Sequence, residues 1–189
     1  MSNHRFSRFL TAILRHRAPE MGYHMDVTGF VPVSEILTKC DNVTLEQIQQ
    51  IIKEDQKQRF ELVNRQDQWY IRAVQGHSIP GINPDLRLVE DATEIPVVVH
   101  GTNVMAYEFI KEQGLNKMTR NHIHFASGPP DDPRVISGIR KNTKVLIYID
   151  AAKAMADGIK FYLSSNGVIL SEGIDGIISP HYFSKIEIL

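Results

Sequence analysis

The 189-residue sequence contains a single cysteine, Cys40. One thiol cannot close an internal disulfide, and it rules out a four-cysteine zinc site. A reducing compartment is the simplest expectation. No apolar run reaches the length needed to span a bilayer, and the N-terminus lacks the apolar core of a secretion signal. The chain is therefore expected to be a soluble cytoplasmic or nuclear protein with no membrane partner. Neither sign of charge dominates, since 21 Lys and Arg face 22 Asp and Glu for a formal net charge of −1. Near-neutrality leaves nucleic-acid binding open, because local patches matter more than the sum. The sequence has no Walker-type phosphate loop and no Gly-x-Gly-x-x-Gly fingerprint, so any nucleotide must be held another way. Internal repeats and low-complexity tracts are absent as well.

What remains is ordinary globular material. Hydrophobic residues make up 42% and charged residues 23%, enough apolar surface to build a packed core. The length suits one large domain or two small lobes. The stretch from Gly76 to Glu94, with Pro80, Gly81, Asn83, Pro84 and Asp85, lacks sustained periodicity and reads as a linker. This divides the chain into an expected lobe at 1–78, a linker at 79–94 and a second lobe at 95–189.

In the first lobe, Phe6, Phe9, Leu10, Ile13 and Leu14 recur at helical spacing, and Pro19 ends that helix. A short helix is expected at Ser34–Lys39. Thr44 with Gln47 forms a capping-box start for a third helix with Leu45, Ile48, Ile51 and Ile52 on one face. Phe60–Val63 and Trp69–Ile71 flank a polar turn at Arg65–Gln68, a hairpin pattern. Three helices and a hairpin suggest a winged-helix lobe, a fold that often contacts nucleic acid, although a fold alone carries no function. In the second lobe, strands are expected at Val97–Val99, Ile123–Phe125, Val145–Ile149, Val168–Leu170 and Phe183–Ile188. A helix is expected at Val104–Gln113, closed by Gly114. The fold class is therefore α+β.

Several segments carry chemically useful side chains. The first 17 residues hold Arg5, Arg8, Arg15 and Arg17 with His4 and His16, and no acid. Leu14-Arg15-His16-Arg17 falls at a helix C-terminus, which tolerates cations; it is either a solvated basic end or a phosphate site. Arginine offers phosphate a planar charged fork, and histidine can carry a proton near neutral pH. Lys57 and Arg59 are two residues apart and would share a side if the chain were extended there. His100-Gly101-Thr102 follows an expected strand, where glycine lets a ligand approach the backbone. His122 and His124 share a face if they lie on a strand. A metal needs three or four ligands and no cysteine or clear carboxylate accompanies them, so no metal site is assigned. Asn166-Gly167 is a strong turn signal.

Together these segments resemble the tRNA 2′-phosphotransferase family, whose bacterial members are called KptA. The matching pieces are Leu-Arg-His at 14–16, Lys-Gln-Arg-Phe at 57–60, Ile-Arg-Ala-x-Gln-Gly-His-Ser at 71–78 and His-Gly-Thr at 100–102. They continue with Arg-Asn-His-Ile-His at 120–124, Val-Ile-Ser-Gly-x-Arg at 135–140 and Asn-Gly-Val-Ile-Leu at 166–170. Each is weak alone, but seven in order are specific. They run from about Arg8 to Phe183.

The resemblance implies a winged-helix lobe followed by an ADP-ribosyltransferase-like lobe, with NAD as co-substrate, no metal, and an RNA (tRNA) carrying an internal 2′-phosphate as substrate. It implies that the 2′-phosphate attacks the nicotinamide ribose of NAD and expels nicotinamide. A ribose hydroxyl then attacks the phosphorus, giving 2′-OH RNA and ADP-ribose 1″,2″-cyclic phosphate. The family's catalytic His and three Arg map onto Arg15, His16, Arg59 and Arg120. Lys57 assists the second step, and Arg8 and Arg17 are further candidates for RNA or phosphate. His100, Gly101 and Thr102 match the NAD motif, with His122, His124, Ser127 and Asn166 as further candidates for the NAD pocket. This assignment draws catalytic residues from both lobes and so implies an active site in a cleft between them. One departure is Leu163, where many family members have Arg. No obligate protein partner is expected. The alternative activity is ADP-ribosylation of a nucleic-acid terminal phosphate, which shares the first step. A winged-helix nucleic-acid binder with an inert second lobe would need neither Arg120 nor His-Gly-Thr.

Overall fold

A computed structural model describes residues 2–140 and 142–189. The chain divides into two compact units, Met1–Asp85 and Leu86–Leu189. The class is mixed, with α-helices and several small antiparallel sheets, in keeping with an α+β protein.

In the first unit, helix α1 (Asn3–Ala12) buries Phe6 and Leu10, and Ser2 caps it by accepting from the Arg5 N–H. The helix then widens into a π-turn over Ile13–Arg17, where the Ala18 N–H donates to the Ile13 carbonyl at 3.0 Å. Single π-turns inside helices tend to occur at functional sites. Strand β1 (Val31–Pro32) leads into α2 (Val33–Lys39), and α3 (Leu45–Glu54) follows. Thr44 caps α3, accepting from the Gln47 N–H at 3.2 Å. Strands β2 (Phe60–Arg65) and β3 (Gln68–Ala73) form a hairpin in register from Phe60 opposite Ala73 to Arg65 opposite Gln68. Its loop is Gln66-Asp67, both with φ near +55° (50 and 61), a two-residue turn whose hand matches the strand twist. The sheet order is β1-β3-β2. Phe6, Leu10, Ile13, Leu14, Ile36, Ile48 and Ile71 form the centre of the core, so the apolar periodicity of α1 and α3 is what closes this unit.

The second unit begins with β4 (Arg87–Leu88) and a single 3₁₀ turn at 92–94, capped reciprocally by Asp91 and Glu94. Part of the stretch expected to be linker is thus a strand, paired antiparallel with Tyr162–Leu163. Then come β5 (Val99–Thr102), α4 (Val104–Gln113), β6 (Leu115–Asn116), β7 (Ile123–Phe125), β8 (Val145–Ile149) and α5 (Ala151–Ala156). The chain ends with β9 (Tyr162–Leu163), β10 (Ile169–Ser171), β11 (Ile177–Ile178) and β12 (Phe183–Ile188). Three sheets form, in the orders β4-β9-β10-β7, β12-β8-β5 and β11-β6. Phe125, Phe161, Ile147 and Ile169 are central to the core.

One expected strand is displaced. The sequence pattern placed it at Val97–Val99 with His-Gly-Thr following. The β5 ladder instead runs from Val99 opposite Tyr148 to Thr102 opposite Val145, so His100, Gly101 and Thr102 lie within the strand. Pro96 has no N–H to give a ladder, and pairing starts only at Val99. No described helix is long and apolar enough to cross a membrane.

Candidate active site

Arg15 and His16 sit where the π-turn meets the segment after β3. Arg15 is half-buried and His16 exposed. The Ser78 N–H donates to the Arg15 carbonyl at 2.9 Å, and Ser78 Oγ lies 2.8 Å from His16 Nδ1. A cavity of about 400 Å³ opens beside them, lined by His4, Ser7, Arg8, Thr11, His16 and Arg59 among others. Its described lining has two guanidiniums and two imidazoles and no carboxylate.

Arg59 is held from behind. Asp55, at the end of α3, accepts from the Arg59 N–H at 2.6 Å, from the Lys57 N–H at 3.2 Å and from Arg59 Nη1. The Asp55 side chain is only 6% exposed, whereas that of Arg59 is 31% exposed. The carboxylate therefore organises the turn, and the guanidinium reaches solvent. The extended geometry considered for Lys57 and Arg59 is not found, because Gln58 between them has φ 46. The Asp55 side chain folds this stretch into a turn by bonding the N–H groups two and four residues on.

The second unit has its own cavity, of about 610 Å³, within the usual range for a small-molecule site. α4 gives it an apolar wall through Ala106, Phe109 and Ile110, continued by Met118 and Ile123. Phe109 and Met118 are 65% and 77% exposed, unusual for such large apolar side chains. The polar lining is cationic or neutral: His100, Lys117, Arg120, His122, His124 and Arg140.

His100 Nδ1 is 2.8 Å from the His124 carbonyl. A carbonyl only accepts, so Nδ1 carries the hydrogen and donates. When the ring is neutral, Nε2 is then an acceptor. Burial, with Arg140 and Arg120 nearby, holds the His100 pKa below its usual value despite the bond to the His124 carbonyl. His122 is shifted down too, by burial and Lys117 against the opposing pull of Glu172. Burial and Arg140 also lower the pKa of Arg120, which remains a cation near neutral pH. Neutral imidazoles and fixed guanidiniums in one cavity suit a ligand with both hydroxyls and anionic oxygens.

The RNA 2′-phosphotransferase, Tpt1/KptA family matches residues 1–173. The chain belongs to this family. A candidate tRNA 2′-phosphotransferase of Schizosaccharomyces pombe is 44% identical over 184 residues, covering 96% of this chain and 50% of that protein. The chain thus spans half the length of that relative. The tRNA 2′-phosphotransferase 1 of Danio rerio is 41% identical over 97% of this chain and 84% of its own length. Its namesake in Homo sapiens is 38% identical over 95% and 73% respectively.

Against the residues singled out in this Tpt1/KptA-family chain, the cavities divide the candidates. Arg8, His16 and Arg59 line the first, and His100, Arg120, His122 and His124 the second. Arg15, Arg17 and Lys57 do not line the first, and Gly101, Thr102, Ser127 and Asn166 do not line the second. Ser127 is exposed. Asn166 is buried in the turn between β9 and β10, where its Oδ1 accepts from Ser164 Oγ at 2.7 Å, a structural contact. Leu163 is in β9, half-buried against the core. Arg140 and Lys117 were not selected from the sequence as site residues, nor were Gly76 and Ser78. Arg140, Gly76 and Ser78 lie within matched family segments, which was the only available signal for them.

Proposed function

We propose that the protein is an NAD-dependent enzyme that removes the splice-junction 2′-phosphate of tRNA, giving 2′-OH RNA, nicotinamide and ADP-ribose 1″,2″-cyclic phosphate. One observation carries this reading. In a chain of this family, Arg8, His16 and Arg59 line one cavity whose described lining has no carboxylate, a suitable receptor for a phosphate dianion. We read the first unit as a winged-helix lobe and the second as an ADP-ribosyltransferase-like lobe.

NAD fits the chemistry of the second cavity. Arg140 and Lys117 match a pyrophosphate. The flat apolar surface of Phe109 matches a base or nicotinamide ring, and the Nε2 of a neutral His100 can accept from a ribose hydroxyl. Bound NAD supplies an activated ribose carbon with a cationic leaving group.

In the first step, the 2′-phosphate oxygen bonds to that carbon as the bond to nicotinamide breaks. The nucleophile is already ionised, so the protein's contribution is position rather than a strong base. Arg15, Arg59 and Arg120 hold the phosphate oxygens. In the second step, the 2″-hydroxyl of the ADP-ribose forms a bond to phosphorus, and the bond from phosphorus to the RNA 2′-oxygen breaks. One proton leaves the attacking hydroxyl and one reaches the departing oxygen, with His16 handling a proton. Lys57 and the arginines stabilise the negative charge on the phosphoryl oxygens. Fixed guanidiniums supply that charge, so activity is expected to persist in EDTA.

Arg120→Ala tests the reading in a reaction with 2′-phosphorylated RNA and NAD. Phosphate release is expected to fall at least 100-fold, or phospho-ADP-ribosylated RNA to accumulate. Normal release with no such intermediate would remove Arg120 from the mechanism. If the wild type leaves ADP-ribose attached to the RNA 2′-phosphate, the first step works and the second is impaired or is not the native role, which favours the alternative transfer.

A further inference from the structure

Between the end of β3 and Ser78, the chain passes directly over the π-turn that carries Arg15 and His16. Gln75, Gly76 and His77 are buried there. Gly76 has φ 90, and a Cβ on it would stand 3.1 Å from both Cζ and Nε of Arg15. The glycine backbone is therefore packed closely against the Arg15 side chain, with no room for a Cβ. Two residues on, Ser78 makes a main-chain bond to the Arg15 carbonyl at 2.9 Å and a side-chain bond to His16 Nδ1 at 2.8 Å. One four-residue segment thus touches the Arg15 side chain, the Arg15 main chain and the His16 ring.

We propose that Gly76 and Ser78 are positioning residues for the two catalytic side chains of the π-turn. This inference rests on the phosphotransferase reading, in which Arg15 binds phosphate and His16 handles a proton. Gly76 leaves the Arg15 fork in its place, where any larger residue would push it aside. Ser78 holds the His16 ring by Nδ1, and the proton is exchanged at Nε2. A hydroxyl suits this task because it both accepts and donates. It accepts from Nδ1–H when His16 is charged or in that tautomer, and it donates to Nδ1 when the proton sits on Nε2. The ring can stay in place throughout the proton transfer. A carboxylate at the same point would bias His16 toward its charged form.

The test compares Ser78→Ala, Ser78→Thr and wild-type full-length protein. Single-turnover rates of both steps are measured with 2′-phosphorylated RNA and NAD, beside the NMR signals of the His16 ring nitrogens. For Ser78→Ala, the second step is expected to slow about three- to tenfold, the effect of one orienting hydrogen bond. KM for NAD and RNA should stay within about twofold, and the His16 ring signals should shift. Threonine should restore both rate and signals. Gly76→Ala should lower the phosphate-dependent rate in protein that remains folded by circular dichroism. The proposal is overturned if Ser78→Ala turns over like the wild type with unchanged His16 signals, or if threonine fails to restore what alanine loses. If the wild type releases no phosphate, the phosphotransferase reading fails instead. The ring signals then still decide whether Ser78 holds His16.

Discussion

Gly101, in the His-Gly-Thr segment, packs tightly against Thr143 and Ile139. A Cβ there would lie 2.7 Å from Thr143 Oγ1, 2.9 Å from its Cγ2 and 3.1 Å from Ile139 Cγ2. Thr143 is β-branched and buried, so it has little freedom to swing away. Gly101→Ala is therefore an overpacking change and is expected to destabilise the protein by about 1–3 kcal/mol. The same contact defines a rescue. Thr143 Oγ1 is buried without a hydrogen-bond partner in the described structure. Thr143→Ala removes both clashing atoms and loses only one methyl's burial, about 0.8 kcal/mol, offset by relief of the unsatisfied hydroxyl. Its own cost should fall below about 1 kcal/mol. In the double variant most of the Gly101→Ala penalty should vanish, leaving a coupling of about 1–2 kcal/mol. Urea unfolding of the four proteins, followed by circular dichroism, measures it. Additive costs, or a Gly101→Ala cost below about 0.5 kcal/mol, would refute the packing argument.

Asp55→Ala strips the turn around Arg59 of a buried acceptor that serves two N–H groups and a guanidinium. A loss of about 2–3 kcal/mol is expected, with a fall in turnover, and thermal melting alongside the phosphate-release rate checks both. His100 and His122 both have depressed pKa values, so NMR titration of their ring signals should give midpoints under 6.5. The unfolded chain then binds more protons than the native one on acidification. Stability is thus fully present above about pH 6.5 and declines as pH falls below it toward the native values. A melting temperature that rises between pH 6.5 and 5.5 would contradict this. Phe109→Ala removes an exposed ring from the cavity wall and should raise KM for NAD about five- to tenfold, the scale of a lost base–ring stack. It should leave the melting temperature nearly unchanged, and isothermal titration with NAD reads the first effect directly.

The helices of the first unit were legible because their apolar faces are regular: Phe6, Leu10 and Ile13 on one, Ile48 and Ile51 on another. The β2–β3 hairpin was legible from its polar turn. The π-turn was not, because one extra residue in a helical turn leaves the apolar spacing almost unchanged. Helix α5 also escaped notice. It has six residues, Ala151–Ala156, and its start depends on the Asp150 side chain accepting from the Lys153 N–H, with little periodicity to read. Within the site, residue types were readable and geometry was not. Lys57 and Arg59 looked like an alternating pair, yet Asp55 turns the chain between them. Asn166 falls in a matched family segment and Ser127 does not, and neither is among the residues lining the cavity. Arg140 contributes through its field on His100 and Arg120, a relation between distant positions that no local pattern reveals.

The most direct test is incubation of the purified protein with a 2′-phosphorylated oligoribonucleotide, with and without NAD. The prediction is that phosphate leaves the RNA only when NAD is present and that ADP-ribose 1″,2″-cyclic phosphate appears in equal amount. Release of phosphate without NAD, or no release from folded protein supplied with both substrates, would contradict it.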